Sequence, residues 1–426
     1  MNTSSHNQHG IPHNNLVILL TNADSLTNKV NELQLLCDSH FIDIILVTEV
    51  KAKNSLEEPS LSQFNLEGYT TYSNFEDPNC SRGVIIYVSL SLGTYTTVNQ
   101  WIYEPEGVHL SFKLEGNDKL ELCCVYRSPS KKTQSGNTIF TLINHLAESA
   151  PSHLLIAGDI NSPNVDWSDW TSSDKDGETL IDTLRNNFLH QHIDKPTRYR
   201  IGTQPTCIDL VMTNEEGMVN NIAYLSGIGL SDHVCIKFDF AVYVPQVKGV
   251  DKPRYHIGDY ESINNEVRRH NWKDEFENKS TSEAMNQLTR CLKDACDKHI
   301  PVRRTKRRRK KQLWMTKEAL SKQRKKKEMW RRYLRTSDPL DYIRATKEKL
   351  ELRQLTRKLC TDFEKDLAYN IKTEPKAFWR YVNSKLKSRQ TINDLVDDTG
   401  QRISDNQEKA NLLNNYFSSV FTRENT

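Results

Sequence analysis

His153-Leu154-Leu155-Ile156-Ala157-Gly158-Asp159-Ile160-Asn161 reads as an apolar strand that ends on a glycine and delivers an acid and an amide to its tip. Asp159 and Asn161 are two apart, so in extended chain they project to one side, a carboxylate beside an amide that can orient it. Taken alone, Gly-Asp-x-Asn also fits an Asx turn that merely stops the strand. Its weight comes from five further polar stations at the ends of apolar, strand-like runs: Asn22-Ala23-Asp24, Thr48-Glu49, Tyr126-Arg127, Asp209 and Ser231-Asp232-His233. Carboxylates are costly to hold near apolar walls or near each other unless a cation or a hydrogen-bonding partner offsets them, so repeated strand-end acids point to a hard metal ion. Mg²⁺ is the expected ion, with Mn²⁺ as a substitute.

Asp209 lies within Cys207-Ile208-Asp209-Leu210-Val211-Met212, and an acid inside an apolar run demands a partner. His233 is the natural one, since a carboxylate fixes the imidazole tautomer and raises its proton affinity.

Working outward, strand-like runs occupy residues 16–20, 42–48, 83–88, 107–114, 120–125, 153–157, 208–212 and 234–240. Helix-length segments lie between them at 29–39, 137–148 and 179–187, and Ser25 is placed to help start the first. Many strands with a few interposed helices predict an α+β sandwich of sheets flanked by helices. Pro, Gly and Lys break the pattern at 244–253, a linker. Beyond it the chain reads as helix at 260–271, 283–299, 316–335 and 339–370, with alternating acids and bases over 347–365 that predict a solvated helix.

Charge divides the same way. Residues 1–250 carry 16 Lys+Arg against 29 Asp+Glu and residues 251–426 carry 42 against 26, so the overall +3 conceals an acidic front and a basic rear. Within 301–335 there are 17 Lys+Arg and two Glu, a density suited to a polyanion. Arg303, Arg304, Lys306, Arg307, Arg308, Arg309, Lys310 and Lys311 form the densest run, expected as a nucleic-acid clamp, with a nuclear-import tract or a solvated linker as the other readings. Trp314, Trp330 and Tyr333 are interleaved for stacking, or else form a packing stripe. The nine cysteines follow no zinc spacing and are expected to be reduced, and no apolar run is long enough for a membrane span. A soluble intracellular protein is expected, located in the nucleus.

In order, N-x-D, T-E, Y-R, G-D-x-N, an in-strand acid and S-D-H resemble the endonuclease/exonuclease/phosphatase superfamily, the DNase I-like fold, over about residues 16–242. Narrower features, Arg82-Gly83-Val84, Tyr126-Arg127-Ser128-Pro129, Val165-Asp166-Trp167 and Pro196-Thr197-Arg198, resemble the endonuclease of jockey-like non-LTR retrotransposons. The resemblance implies a four-layered α/β sandwich followed by a basic, mostly helical region. The expected divisions are a disordered tail at 1–15, the catalytic domain at 16–242, linker and helices at 243–300, and the basic region at 301–426.

It also implies roles. Glu49 with Asp24 would hold Mg²⁺, Asp232 would assist at the metal side, and Asp159, oriented by Asn161, would activate water. Asp209 would pair with His233 at the scissile phosphate, Asn22 would orient the network, Tyr126 would steady the phosphate or leaving oxygen, and Arg127 would add a phosphate contact. The substrate implied is DNA, with element RNA as a further partner. Ser128-Pro129 stand where abasic-site enzymes carry an Asn, which argues against abasic-site specificity. Trp167 and Trp170 are expected to pack beneath the site rather than stack on bases.

Residues 375–383 and 408–421 resemble the stretch leading into the reverse transcriptase of such elements, and Val396-Asp397-Asp398-Thr399-Gly400 reads as a turn between short strands. No transcriptase activity is expected from these residues. The leading expectation is an Mg²⁺-dependent nuclease that nicks DNA; the alternatives are a catalytically silent nucleic-acid-binding remnant and a phosphatase of the same fold acting on small phosphoesters.

Overall fold

The computed structural model describes residues 15–420 apart from 54–58, 78–79, 91, 93–95, 104, 115–117, 130–137, 150, 201, 243–251, 304–312, 387–394, 397–401 and 404–405. The chain divides into two compact units, Met1–Val244 with Leu313–Thr426, and Pro245–Gln312.

In the larger unit the chain forms β1 (Asn15–Asn22), α1 (Val30–His40), β2 (Ile44–Thr48), β3 (Tyr69–Ser73), β4 (Ile85–Ser89), β5 (Thr96–Val98), β6 (Glu106–Lys113), β7 (Lys119–Tyr126), α2 (Ile139–Glu148) and β8 (His153–Asp159). It continues through β9 (Val165–Asp166), β10 (Thr171–Ser172), α3 (Lys175–Asn186), β11 (His190–Gln191), β12 (Asp209–Thr213), β13 (Val219–Leu225) and β14 (Cys235–Ala241). Two six-stranded sheets result, in the orders β13-β14-β1-β2-β4-β3 and β11-β12-β8-β7-β6-β5. All eight expected strands form, with ends within two residues of the reading. The strands not foreseen include β3 and β13, whose Tyr-Thr-Thr-Tyr-Ser and Val-Asn-Asn-Ile-Ala-Tyr-Leu carry too many polar residues to stand out; both lie at a sheet edge.

Side-chain alternation sorts the layers. Ile18, Leu20, Leu46 and Ile86 of one sheet meet Leu122, Cys124, Leu155 and Ala157 of the other in a shared core. Their neighbours face outward: Leu19, Ile45 and Tyr87 pack on Leu33, Leu36 and Cys37 of α1, while Cys123, Val125 and Ile156 pack on Leu142 and Ile143 of α2 and Leu180 and Leu184 of α3. The four-layered α+β sandwich follows, and its central strands read as continuous apolar runs because both faces are covered. Ser25 does not cap α1; Lys29 precedes the first turn without a side-chain cap, and Ser25 sits at φ 68°.

Residues 313–426 also belong to this unit. Helix α7 is Lys317–Thr336 and helix α8 is Pro339–Tyr369. Thr316 caps α7 by accepting from Ala319 N, and Asp338 caps α8 by accepting from Leu340 N, with Pro339 in the first turn. The sequence reading of α8 as a solvated helix is corrected: Asp341, Ala345, Glu348, Leu352, Thr356 and Cys360 are buried at three- and four-residue spacing. Those residues form one face, and the charges that dominate the sequence line the others. Trp330 and Ala345 join the inter-sheet core, and Leu352, Cys360, Trp314 and Ala319 cluster with Leu35 of α1.

The smaller unit holds α4 (Tyr260–Arg268), α5 (Trp272–Phe276) and α6 (Thr281–His299), with β15 (Lys252–Pro253) pairing β16 (Val302–Arg303). Its core is small, centred on Ile263, Ala295 and Ile300. Near the end of the chain α9 (Pro375–Leu386) and α10 (Asn406–Val420) flank an antiparallel pair, β17 (Leu395–Val396) and β18 (Arg402–Ile403). The intervening Asp397 and Asp398 lie outside the described residues. No helix among the described residues is long and apolar enough to cross a membrane.

Candidate active site

Strand register gathers the stations. Parallel β1 and β2 set Asn22 beside Thr48, so Glu49 follows at the same end. Parallel β7 and β8 set Tyr126 beside Asp159, and antiparallel β12 begins with Asp209 opposite Asp159. Ser231-Asp232-His233 precedes β14, whose Cys235 pairs with Thr21 of β1. Gly158 is required here: a Cβ at that position would lie 1.8 Å from Val125 O on β7.

The side chains form one connected network. Asn22 Nδ2 donates to Asp159 Oδ2 at 2.8 Å, tying one sheet to the other, and Asn22 Oδ1 accepts from Asp24 N at 2.9 Å. His233 Nδ1 lies 2.8 Å from Asp209 Oδ2, the expected pair, and Nε2 lies 3.7 Å from Asp232 Oδ1. Asp24 and Glu49 share the Arg82 guanidinium, Asp24 at 3.2 Å. Asp232 Oδ2 accepts from Arg198 Nε and Arg200 Nε, both at 3.1 Å.

Asn161 acts differently from expectation. It sits at φ 52° rather than in extended chain, and its backbone N–H donates to Asp159 Oδ1 at 3.1 Å while its side chain donates to Arg127 O at 2.6 Å. The amide that orients Asp159 is therefore Asn22, and the Asx-turn hydrogen bond coexists with the site. Arg127 is corrected as a phosphate ligand: it is buried, ion-paired with Asp176 and set over the Phe140 ring. Trp167 is buried and packs edge-to-face on Trp170, as expected.

Burial and the negative charges of Asp209 and Glu49 push the Asp159 carboxyl up to about 7, against the opposing pull of His233 and the Asn22 hydrogen bond. For His233, burial disfavours the cation, but Asp209, Asp159 and Asp232 outweigh it and lift the imidazole to about 9. Burial, then Glu49 and Asp159, keep the Tyr126 phenol protonated well above its ordinary range. Near neutral pH the edge thus holds a carboxyl poised to exchange a proton, an imidazolium and a neutral phenol.

The carboxylate oxygens here are the hard donors that Mg²⁺ prefers. Asp159, Asp209 and His233 offer ligand atoms within 4.8 Å of one another, making an acidic triad that could hold an ion. With His233 protonated and its Nδ1 engaged, though, that group suits proton handling better than ligation. Glu49, Asp24 and Asp232, the expected ligands, are not gathered within that distance; arginines face them instead. Asp209 Oδ1 is buried without a hydrogen-bond partner, a hard carboxylate oxygen left open to a cation. The donor set fits a divalent cation.

Several contributors escaped the sequence reading. Glu106 accepts from Ser81 N, Ser81 Oγ, Arg82 N and Gly83 N, fixing the turn that aims Arg82. Thr197 Oγ1 accepts from Asp209 N at 3.0 Å, and Lys29 Nζ donates to the carbonyls of Ala23 and Asp24. Arg82, Thr197 and Arg198 lay inside noted motifs; nothing local marked Glu106. In the basic run, Arg304, Lys306, Arg307, Arg308, Arg309, Lys310 and Lys311 lie outside the described residues, and of Arg303 only the backbone is described. The stacking reading of Trp314, Trp330 and Tyr333 is corrected: Trp314 and Trp330 are buried, and Trp330 and Tyr333 pack edge-on or tilted against Tyr199 and each other.

Residues 120–237, which carry Tyr126, Asp159, Asp209 and His233, match the family model described as endonuclease-reverse transcriptase. That match supports a phosphodiester-cleaving function. The chain is also 24% identical, over 96% of its length, to a probable RNA-directed DNA polymerase from transposon BS of Drosophila melanogaster, and spans 45% of that protein. Among solved structures it is similar to the endonuclease domain of TRAS1, a telomere-specific non-LTR retrotransposon, at 17% identity and TM-score 0.42 over 54% of this chain and 99% of that one. A 3'-5' exonuclease from Neisseria meningitidis aligns at 15% identity and TM-score 0.40, over 53% of this chain and all of that one. The resemblance drawn from the six stations, to the endonuclease/exonuclease/phosphatase superfamily and to retrotransposon endonucleases, stands.

Proposed function

We propose that this chain is a Mg²⁺-dependent nuclease that nicks DNA, acting within a retrotransposon-type protein. The observation that carries the reading is the meeting of Asn22–Asp159 and Asp209–His233 at one edge of the two sheets. Asp159, held by Asn22, takes a proton from the attacking water as the water oxygen bonds to phosphorus, while the bond from phosphorus to the leaving sugar oxygen breaks and that oxygen departs with the electron pair to be protonated from solvent. His233, held charged by Asp209, donates from Nε2 to a phosphate oxygen. Tyr126 steadies the phosphate or leaving oxygen as a neutral donor. Arg198 and Arg200, fixed by Asp232, add positive charge beside His233. A divalent cation held by Glu49 with Asp24 would stabilise charge on the non-bridging oxygens.

DNA is the proposed substrate, and nuclear location and contact with element RNA belong to the same proposal. The cationic run 303–311 is proposed to hold nucleic acid without sequence preference. Supercoiled plasmid incubated with Mg²⁺ is expected to become nicked, and EDTA to stop it. Release of inorganic phosphate from small phosphoesters without nicking would favour the phosphatase reading; binding without cleavage would favour a silent remnant.

A further inference from the structure

The residues that carry Asp232 and His233 follow Ser226-Gly227-Ile228-Gly229-Leu230, a loop with two glycines that lies between β13 and β14. Such a segment gains little from regular hydrogen bonding and must be held by side chains. Three charged side chains do so. Glu32 of α1 accepts from Gly229 N at 2.9 Å, Lys326 of α7 donates to Gly227 O at 3.0 Å and pairs with Glu32 at 2.8 Å, and Lys349 of α8 donates to Ser231 O at 2.6 Å. All three come from helices outside the matched residues 120–237.

The Lys349 contact leads onward. Ser231 Oγ donates to Asn22 O at 2.7 Å and accepts from His233 N at 3.2 Å, and Asn22 in turn holds Asp159. Lys349 also lines a void of about 20 Å³, roughly the room of one water, with Ser231, Asp232, His233 and Thr346. We infer that Lys349 is a positioning residue of the active site, holding the Ser231-Asp232-His233 turn in register with Asn22 and Asp159, so that the α7–α8 hairpin is part of the catalytic unit. This rests on the proposed nuclease reading.

Burial and the nearby Lys326 depress the Lys349 ammonium to about 8, so the brace is costly to keep charged, and its carbonyl contact and Glu32 offset that cost. An unpaired methylene chain there would leave Ser231 O without its donor.

The test uses the full chain with Mg²⁺ and plasmid, comparing wild type, Lys349→Met, Lys349→Arg and the exposed control Lys347→Met. Lys349→Met is expected to lower kcat about tenfold or more with KM for DNA unchanged, because a small displacement of a reacting group is enough to slow the chemistry. Lys349→Arg restores kcat to within about threefold, since it keeps a cationic donor, and Lys347→Met matches wild type. A second readout needs no activity: the His233 Nδ1 proton resonance is expected to shift or broaden in Lys349→Met and to stay put in Lys347→Met. If wild type does not nick but that resonance responds, the nuclease reading fails and the positioning inference stands. An unchanged resonance with unchanged kcat in Lys349→Met overturns the inference. Should that variant not fold, Lys349→Gln is scored by the same criteria.

Discussion

Asn22 and Asp159, 137 positions apart, meet through a 2.8 Å hydrogen bond that joins the ends of β1 and β8, the central strands of different sheets. The bond stabilises the ionised carboxylate while burial and Asp209 oppose it. Removing the amide by Asn22→Ala therefore raises the Asp159 pKa, which is read as an upward move of the acid limb of the nicking profile. A loss of about tenfold in activity at pH 7 accompanies it, of the order found for displaced catalytic groups. An unmoved acid limb would show that Asn22 does not hold the base.

The two central groups set a pH window. Asp159, near 7, must lose its proton to act as base, and His233, near 9, must keep its own to donate. Nicking measured at constant ionic strength is expected to rise through about pH 7 and fall through about pH 9. A divalent cation held by Glu49 with Asp24 would offset the Glu49 charge that raises Asp159, so lowering Mg²⁺ is expected to move the lower limb up. A profile flat from pH 6 to 10 would remove both assignments.

Asp209→Asn keeps the shape of the partner but removes its charge. His233 then loses the main influence that raises it, and its imidazole pKa, followed by NMR, falls toward or below its ordinary value because burial is left unopposed by that carboxylate. The alkaline limb moves down with it, and kcat falls about a hundredfold or more, as for other general acid–base groups. A histidine that still titrates near 9 would mean that Asp209 is not its controlling partner.

Most of the sandwich was legible because its central strands are buried on both faces and so read as unbroken apolar runs; β3 and β13, at the edges, did not. The paired roles of Asp209 and His233 were legible because an acid inside an apolar run has few affordable partners. Arg82, Glu106 and Lys349 were not, because each acts through a turn or helix distant in sequence. The docked face of α8 was hidden for a different reason: Ala345, Leu352 and Cys360 are sparse among charges, and Lys326 and Lys349 reach the interior along their own methylene stems.

That docking predicts a stability effect. Trp330 is 7% exposed, sits in the inter-sheet core cluster and stacks edge-on against Tyr199. Trp330→Ala is expected to cost about 3–5 kcal/mol in denaturant unfolding, the range for buried aromatic deletions. Deleting residues 313–426 exposes the same face and is expected to lower stability rather than only weaken DNA binding. A stability change below about 1 kcal/mol in Trp330→Ala, the scale of surface substitutions, would place α7 outside the folded unit.

The most direct test of the site is plasmid nicking by Asp159→Asn in Mg²⁺, since the amide preserves size and the Asn161 and Asn22 surroundings while removing the base. Nicking reduced about a hundredfold or more, with plasmid binding retained, is the result expected of a lost general base; nicking at the wild-type rate would contradict the assignment of this edge as the catalytic centre.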